Sequence, residues 1–262
     1  DVINEGISRG HTFKFSCARP NSQIEFDDTS DLDFLVDLFN YPSSLKSFGA
    51  WRDFPDSFKE KILLRNRFLH FNNAYVDLCN EPYLPCSGNA TMICPAKSPL
   101  KLIKNITSKS LEIKCFSSLP LVRKFFIHSK LNIFLSPLHR TTSLKILGLD
   151  QAPPSFVLKP TIDTKHFFNK KIVRDIDYLF MGVIGEAKGL YEMREKYRNV
   201  DIHFAGKLYP GAKLDFGTYH GSVPYGEVPN LMNRAKNFVF LPRWPEPQGR
   251  VVIEAALCGC NL

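Results

Sequence analysis

The stretch Leu241-Pro242-Arg243-Trp244-Pro245-Glu246-Pro247-Gln248-Gly249-Arg250-Val251-Val252-Ile253-Glu254-Ala255-Ala256-Leu257-Cys258-Gly259 decides how this chain is read. It follows the β-prone run Asn237-Phe238-Val239-Phe240-Leu241, so the sequence passes from a strand through a proline-rich loop into a helix. Gly249 opens that helix and Gly259 stops it. A loop at the carboxyl end of a parallel strand lies where open α/β sheets bind ligands. At Gly249 the free N–H groups and the positive end of the helix dipole suit a phosphate, with Arg250 as an added cation. Glu254 follows about one turn later, and ionised carboxylates suit the paired hydroxyls of a sugar ring. Taken singly, Glu246 reads as a solvated loop acid and Glu254 as a solvent-facing helix residue. The strand, loop, glycine and helix together favour a ligand site.

The elements upstream follow one pattern. Asp177 to Val183 is a short apolar run containing Gly182, followed by a helical stretch from Lys188 to about Arg198. A second run, Val200 to Gly206, again ends in glycine. A β-prone stretch (Thr218 to Val223), a helix over about Glu227 to Lys236 and the strand Asn237 to Leu241 complete the series. Continuous apolar strands alternating with helices predict a parallel sheet covered on both faces, with a further strand expected at Asn261-Leu262. In the first half, Ile7 to Cys17 reads as a helix end, a Gly10-His11 turn and a strand Thr12 to Phe15. Asp33 to Phe39 is another short apolar run. Phe58 to Phe71 reads as one long amphipathic helix, Leu131 to Leu135 as a strand, and Ser143 to Leu147 as the start of a helix. Gln151-Ala152-Pro153-Pro154 breaks the chain, and the domain boundary is expected near residue 170.

The 262 residues are 44% apolar and 23% charged, which excludes disorder and fibrous repeats. No apolar run reaches the ~18 residues of a membrane-spanning helix. Asp1 leads straight into mixed sequence without a secretory pattern, so the chain reads as an excerpt beginning inside a fold. The net charge of +8 is uneven: residues 1–60 carry 6 basic and 11 acidic side chains, 61–170 carry 16 and 5, and 171–262 carry 12 and 10. Such an excess serves nucleic acid, an anionic membrane surface or a phosphorylated ligand. Lys101, Lys104, Lys109 and Lys114 are scattered and no nucleic-acid motif accompanies them. That leaves a solvated face, an anionic acceptor, or peripheral membrane contact through 61–170, and sets nucleic acid aside. Seven cysteines (17, 79, 86, 94, 115, 258, 260) form no CxxC pair, so reduced, mostly buried thiols of a cytoplasmic protein are the plain reading. The sequons at Asn89 and Asn105 read as chance matches.

The stretch Glu246 to Gly259 resembles retaining glycosyltransferases of the GT-B fold, particularly the large family four, which carries a loop Glu, seven residues, a helix Glu and a small-residue helix ending in glycine. Tyr178 to Leu190 resembles that family's strand, glycine and Lys-Gly element. Ile202 to Lys207 and Gly221-Ser222-Val223 resemble its loops beneath the nucleotide. Phe134 to Pro137, followed by Pro160 to Phe167, resembles its interdomain stretch. The resemblance is specific over about residues 130–262 and general before that. It implies two Rossmann-like domains facing a cleft, clipped at both ends: 1–170 on the acceptor side, lacking its first strand and loop, and 171–262 binding a nucleotide sugar, lacking its last elements. It also implies transfer of a sugar from a nucleotide-diphosphate donor to a glycan or lipid-linked acceptor, with no metal and no other cofactor. Within it, Glu246 would contact the donor sugar as the catalytic carboxylate. Glu254 would grip the ribose, Lys188 the diphosphate, Gly249 and Arg250 the phosphates, and Val223 the nucleobase through its main chain. Lys207, Arg243, His139 and His70 are further candidates for the cleft, although a surface lysine and core histidines are their plainer readings.

One position departs from the family pattern. Where a second diphosphate-clamping Arg usually follows the first strand's glycine, this chain has Val183, so Arg250 or Arg243 would have to compensate. The Asp31/Asp33 and Asp175/Asp177 pairs fit the Asp-x-Asp spacing of metal-dependent transferases, yet both precede strands and read as strand-leading acids. A nucleotide-sugar epimerase of the same fold, and a non-catalytic nucleotide- or carbohydrate-binding module, are the competing functional readings. The expected setting is polysaccharide or cell-envelope glycoconjugate synthesis at the cytoplasmic side of the membrane.

Overall fold

The computed structural model describes residues 2–14, 29, 31–36, 56–79, 83–84 and 120–262. Two four-stranded sheets, every pairing parallel, organise them. The first sheet contains β1 (Asp33–Val36), β2 (Phe68–Phe71), β3 (Leu131–Phe134) and β4 (Ser155–Val157) in that spatial order. With it go α1 (Val2–Ser8), α2 (Asp56–Arg65), α3 (Pro120–His128) and α4 (Pro137–Leu147). The second sheet contains β5 (Ile176–Met181), β6 (Ile202–Ala205), β7 (Thr218–Tyr219) and β8 (Ala235–Phe238), in the order β7-β6-β5-β8. Its helices are α5 (Leu190–Tyr197), α6 (Val228–Arg234) and α7 (Arg250–Leu257). No helix among the described residues is long and apolar enough to cross a membrane.

The second sheet follows the sequence closely. Leu179 and Met181 of β5 pack with Leu231, Met232 and Ala255 from α6 and α7, while the intervening Phe180 packs with Leu190 and Met193 of α5 on the other face. That alternation places helices on both faces, as the unbroken apolar runs require. The chain runs outward from β5 to β6 and β7, then returns to the other side of β5 as β8. The order therefore reverses between β5 and β8, which is where such sheets open a crevice at their carboxyl ends. β8 lies two to three residues earlier than the sequence suggests, and Asn261 forms a parallel bridge with Asn237 at the position expected for a further strand.

The first half differs from its sequence reading in three places. The helix expected over Phe58 to Phe71 ends at Arg65, because Asn66 turns into the left-handed region at φ 50°. Phe68 to Phe71 then forms β2, with Phe68 and His70 fully buried and Leu69 and Phe71 less so. The helix expected to begin at Ser143 begins earlier, at Pro137, and runs to Leu147. Ser136 caps it by accepting the His139 N–H at 3.0 Å, Pro137 occupies its first turn, and Gly148 closes it at φ 59°. No strand forms over residues 12–14; Phe15, with the rest of that expected strand, lies outside the described residues. The first core gathers Phe68, Phe125, Phe126, Phe134 and Leu84, all fully buried. Cys79, Cys258 and Cys260 are buried free thiols; Cys17, Cys86, Cys94, Cys115, both sequons and the lysines of 101–114 lie outside the described residues.

The segment between the sheets packs against the second one. Phe167 is fully buried in its core, and Asn233 accepts the Lys170 N–H at 2.7 Å while donating to the Phe168 carbonyl at 3.0 Å. The two halves also touch across a cleft, where the Tyr75 hydroxyl donates to the Pro245 carbonyl at 2.9 Å and the Tyr83 and Trp244 rings meet at 5.1 Å.

Candidate functional site

A cavity of about 430 Å³ opens at the carboxyl ends of β5 and β8, the point where the strand order reverses. Glu246, Lys188, Val223, Gly249, Arg250 and Glu254 all line it. These residues span the loops after β5, β7 and β8 and the start of α7.

Loop packing explains how Lys188 and Glu246 meet. Lys188 ends a short 3-10 turn, Glu186–Lys188, closed by Gly189 at φ 86°. A Cβ on Gly189 would lie 2.1 Å from the Leu241 carbonyl oxygen, so only glycine lets the loop after β5 sit directly on the segment after β8. The Arg243 N–H donates to the Ala187 carbonyl at 2.9 Å and joins the same two loops. The consequence is an ion pair between the Lys188 ammonium and Glu246 Oε2. Trp244 Nε1 donates to that same oxygen at 3.0 Å, and the Lys188 ammonium lies 5.0 Å from the Trp244 ring centre. One carboxylate is thus oriented by a cation and an indole, both partly withdrawn from solvent.

Gly249 begins α7 in the left-handed conformation, φ 60° and ψ 37°, with no side chain capping the helix. Its φ is one that side-chain-bearing residues adopt at a cost, and Gly249, Arg250 and Val251 at the start of α7 all line the cavity. Glu254, one turn on, is 8% exposed, with Arg250 Nη2 3.5 Å from its Oε1. Burial pushes its carboxyl pKa up, against the opposing pull of Arg250 and His166. Glu254 is therefore not the solvent-facing helix residue of the ordinary reading.

The remaining candidates lie elsewhere. Arg243 turns away to pair with Glu192, and Lys207 is exposed outside the cavity lining. His70 is fully buried with Nε2 2.8 Å from Asp77 Oδ2, an arrangement in which the imidazole donates to the carboxylate. His139 is also fully buried; its Nδ1 accepts the Leu135 N–H at 3.2 Å, and burial lowers its pKa to about 4. Both histidines are core residues. Val183 lines the cavity with an apolar side chain, which leaves Arg250 as the arginine on that wall. Asp175 immediately precedes β5 and pairs with Arg234, Asp177 is the second residue of β5 and pairs with Lys236, and Asp33 is the first residue of β1.

Four aromatic contributors were missed in the sequence. Trp244 stands two positions before Glu246, yet nothing in its spacing reveals a hydrogen bond to it. Tyr75 and Tyr83 belong to the aromatic and cysteine-rich stretch Phe68 to Pro85, whose composition reads most simply as core packing and alternatively as acceptor binding, and both do pack. Each also reaches the loop that carries Glu246, and burial raises each phenol to about 12, so both stay protonated at neutral pH. Tyr225 lines the cavity beside Val223, its ring stacked on His166 at 5.1 Å.

The sequence matches no family model and no curated protein. The fold is similar to that of several solved structures. Sucrose-phosphate synthase from Thermosynechococcus elongatus is 15% identical, over 78% of this chain and 57% of that one, with a TM-score of 0.48. The pneumococcal O-GlcNAc transferase GtfA, solved with UDP and GlcNAc, is 10% identical over 78% of this chain and 43% of that one, with a TM-score of 0.45. AviGT4, a glycosyltransferase involved in avilamycin A biosynthesis, is 19% identical over 49% of this chain and 42% of that one, with a TM-score of 0.38. This chain spans about half the length of the structures it matches. The two parallel α/β units facing a cleft are the α/β architecture expected from the sequence.

Proposed function

We propose that this protein transfers a sugar from a nucleotide-diphosphate donor to a glycan or lipid-linked acceptor, with retention at the anomeric carbon and with protein groups supplying the positive charge. The observation that carries the reading is the convergence of Lys188, Glu246, the uncapped start of α7, Arg250 and Glu254 on one cavity at the β5/β8 switch point.

Each group has a role that its chemistry supports. The first N–H groups of α7 and the Arg250 guanidinium suit the diphosphate, and the Glu254 carboxylate suits the two ribose hydroxyls. Main-chain groups at Val223, with the Tyr225 ring beside them, suit the nucleobase. As the anomeric C–O bond breaks, its electron pair moves to the diphosphate, and cations already in position lower the barrier. Lys188 pairs with Glu246 in the ligand-free protein. An arriving diphosphate competes for that ammonium, and the exchange releases the Glu246 carboxylate toward the sugar. Arg250 takes the part that Val183 leaves open. The basic excess of 61–170 supports, within this proposal, an activity at the cytoplasmic face of a membrane.

Two measurements test the reading. A melting screen against UDP-, GDP- and ADP-sugars is expected to find one donor that stabilises the protein, by about 2.7 kcal/mol at a hundred times its dissociation constant. Glu246→Gln is expected to keep that stabilisation and to lose transfer by a factor of about 100 or more. Full transfer by the variant, or no stabilisation by any donor, would sink the proposal. Sugar appearing on an acceptor separates transfer from epimerisation of the free donor.

A further inference from the structure

A second cavity, about 730 Å³, lies on the other side of the loop that follows β5 and shares only Lys188 with the first. Its walls are held by the backbone and by ion pairs. The Tyr209 N–H donates to the Ile184 carbonyl and the Ile184 N–H to the Lys207 carbonyl, each at 2.8 Å, so residues 207–209 prolong the parallel pairing of β5 and β6. Tyr209, Pro210, Gly211 and Ala212 then form a tight turn closed by the Ala212 N–H on the Tyr209 carbonyl at 2.9 Å. On the opposite wall, Arg194 of α5 donates to Asp215 Oδ1 at 3.0 Å and to the Lys213 carbonyl at 2.8 Å. Tyr83 from the first half closes the cavity, its ring 5.8 Å from that of Tyr209.

The lining is aromatic and polar, and its three cations are matched by its two carboxylates together with Glu246, which pairs with Lys188 from the first cavity. Arg194 pairs with Asp215, Lys188 pairs with Glu246, and Glu186 offsets Lys213. A polyanion would have to break pairs to gain contacts here. A sugar ring would not: it presents an apolar C–H face to a tyrosine ring and hydroxyls to the polar rim. The Tyr83 phenol is protonated at neutral pH and available there as a donor. Lys188 stands at the shared edge, held by Glu246 of the first cavity, so a glycan hydroxyl at that edge would face the anomeric carbon of a donor in the first cavity.

We propose that this cavity binds a neutral oligosaccharide and serves as the acceptor subsite. The acceptor role rests on the transferase reading, whereas the binding itself does not. The test is titration calorimetry of the full chain with maltotriose and with diacetylchitobiose, extended to an array of neutral and sulfated glycans. A neutral glycan is expected to bind. Tyr209→Ala is expected to weaken it about tenfold, Tyr209→Phe to keep it within about threefold, and Pro210→Trp, on the exposed rim, to block it. All three variants are expected to keep the melting shift caused by the nucleotide sugar, which also reports that they fold. Absence of neutral-glycan binding across the array overturns the inference, as does sulfated-glycan binding alone or equal binding by Tyr209→Ala and Pro210→Trp. A nucleotide shift without glycan binding overturns this inference alone. Glycan binding with no nucleotide shift overturns the transferase reading and leaves the glycan site standing.

Discussion

The two halves of the molecule share a parallel α/β architecture but put their polar residues in different places. Among the described residues, the first half buries Lys59, His70, Asn72, Asp77, Ser129, Asn132, His139 and Ser143, whereas the second buries only Asn233 and Glu254. In the first half these groups answer one another or the backbone, as when Asn132 Nδ2 donates to the Phe126 carbonyl at 2.8 Å and Ser143 Oγ to the His139 carbonyl at 2.8 Å. In the second half Asn233 likewise bonds to the backbone around Phe168 and Lys170, whereas Glu254 lies at the carboxyl edge of the sheet beside an open cavity. Buried polar groups with internal partners hold a fold together, while polar groups facing a cavity are available to a ligand. A residue's chemical type alone does not separate these cases: His70 and His139 look as reactive in the sequence as Glu246 does.

The comparison breaks first, if it breaks, at His70. Replacing it by Leu withdraws the donor facing the buried Asp77 carboxylate, and a loss of about 4 kcal/mol is expected from urea unfolding. Glu246→Gln, at the cavity edge, is expected to leave unfolding within about 0.5 kcal/mol of the parent while removing activity. Equal stability losses in the two variants would erase the distinction. The next largest effect belongs to His139, whose pKa falls from 6.5 to about 4 on folding. Between those values the unfolded chain binds a proton that the folded chain refuses. Stability is therefore fully present above pH 6.5 and is lost as pH falls toward 4, by about 3 kcal/mol. Unfolding measured at pH 7.5 and pH 4.5 checks this, and His139→Gln is expected to flatten the dependence.

How much could be read from the sequence follows the same division. The strand, loop and helix from Asn237 to Leu257 are contiguous, and a glycine, a proline-rich loop and a buried glutamate carry their meaning within twenty residues. The boundaries of α7 and the cavity residues Glu246, Gly249, Arg250 and Glu254 were therefore legible, while Lys188 and Val223 came from the family resemblance. The misread helix at Phe58 to Phe71 fails for a local reason: the apolar pattern runs on past Arg65, and a left-handed Asn66 has no spacing signature. Tyr75 could not be seen at the site, because its partner Pro245 lies 170 positions away. Arg243 stood as close to the motif as Arg250, and only the tertiary position of Glu192 decides that it turns aside.

Glu254 is the sharpest test, since it is the one buried carboxylate assigned to a ligand instead of to the fold. Burial raises its pKa, so the folded state disfavours the charged form that a ribose would need. The sign of the linkage follows: above the raised pKa the carboxylate burdens the ligand-free fold, and the burden is relieved as pH falls through that value. Glu254→Gln, neutral and of the same shape, is expected to be as stable as the parent or more so at pH 7.5, with the difference shrinking on acidification. Its nucleotide affinity is expected to fall about tenfold, as the loss of charge-assisted hydrogen bonds implies. In the parent, nucleotide affinity is expected to decline at a higher pH than an ordinary glutamate would give, and in the variant that decline is expected to vanish. Calorimetric titration of both proteins between pH 4.5 and 8 measures this. A variant that unfolds more easily while binding nucleotide normally would move Glu254 to the structural side of the comparison and leave the cavity without its ribose contact.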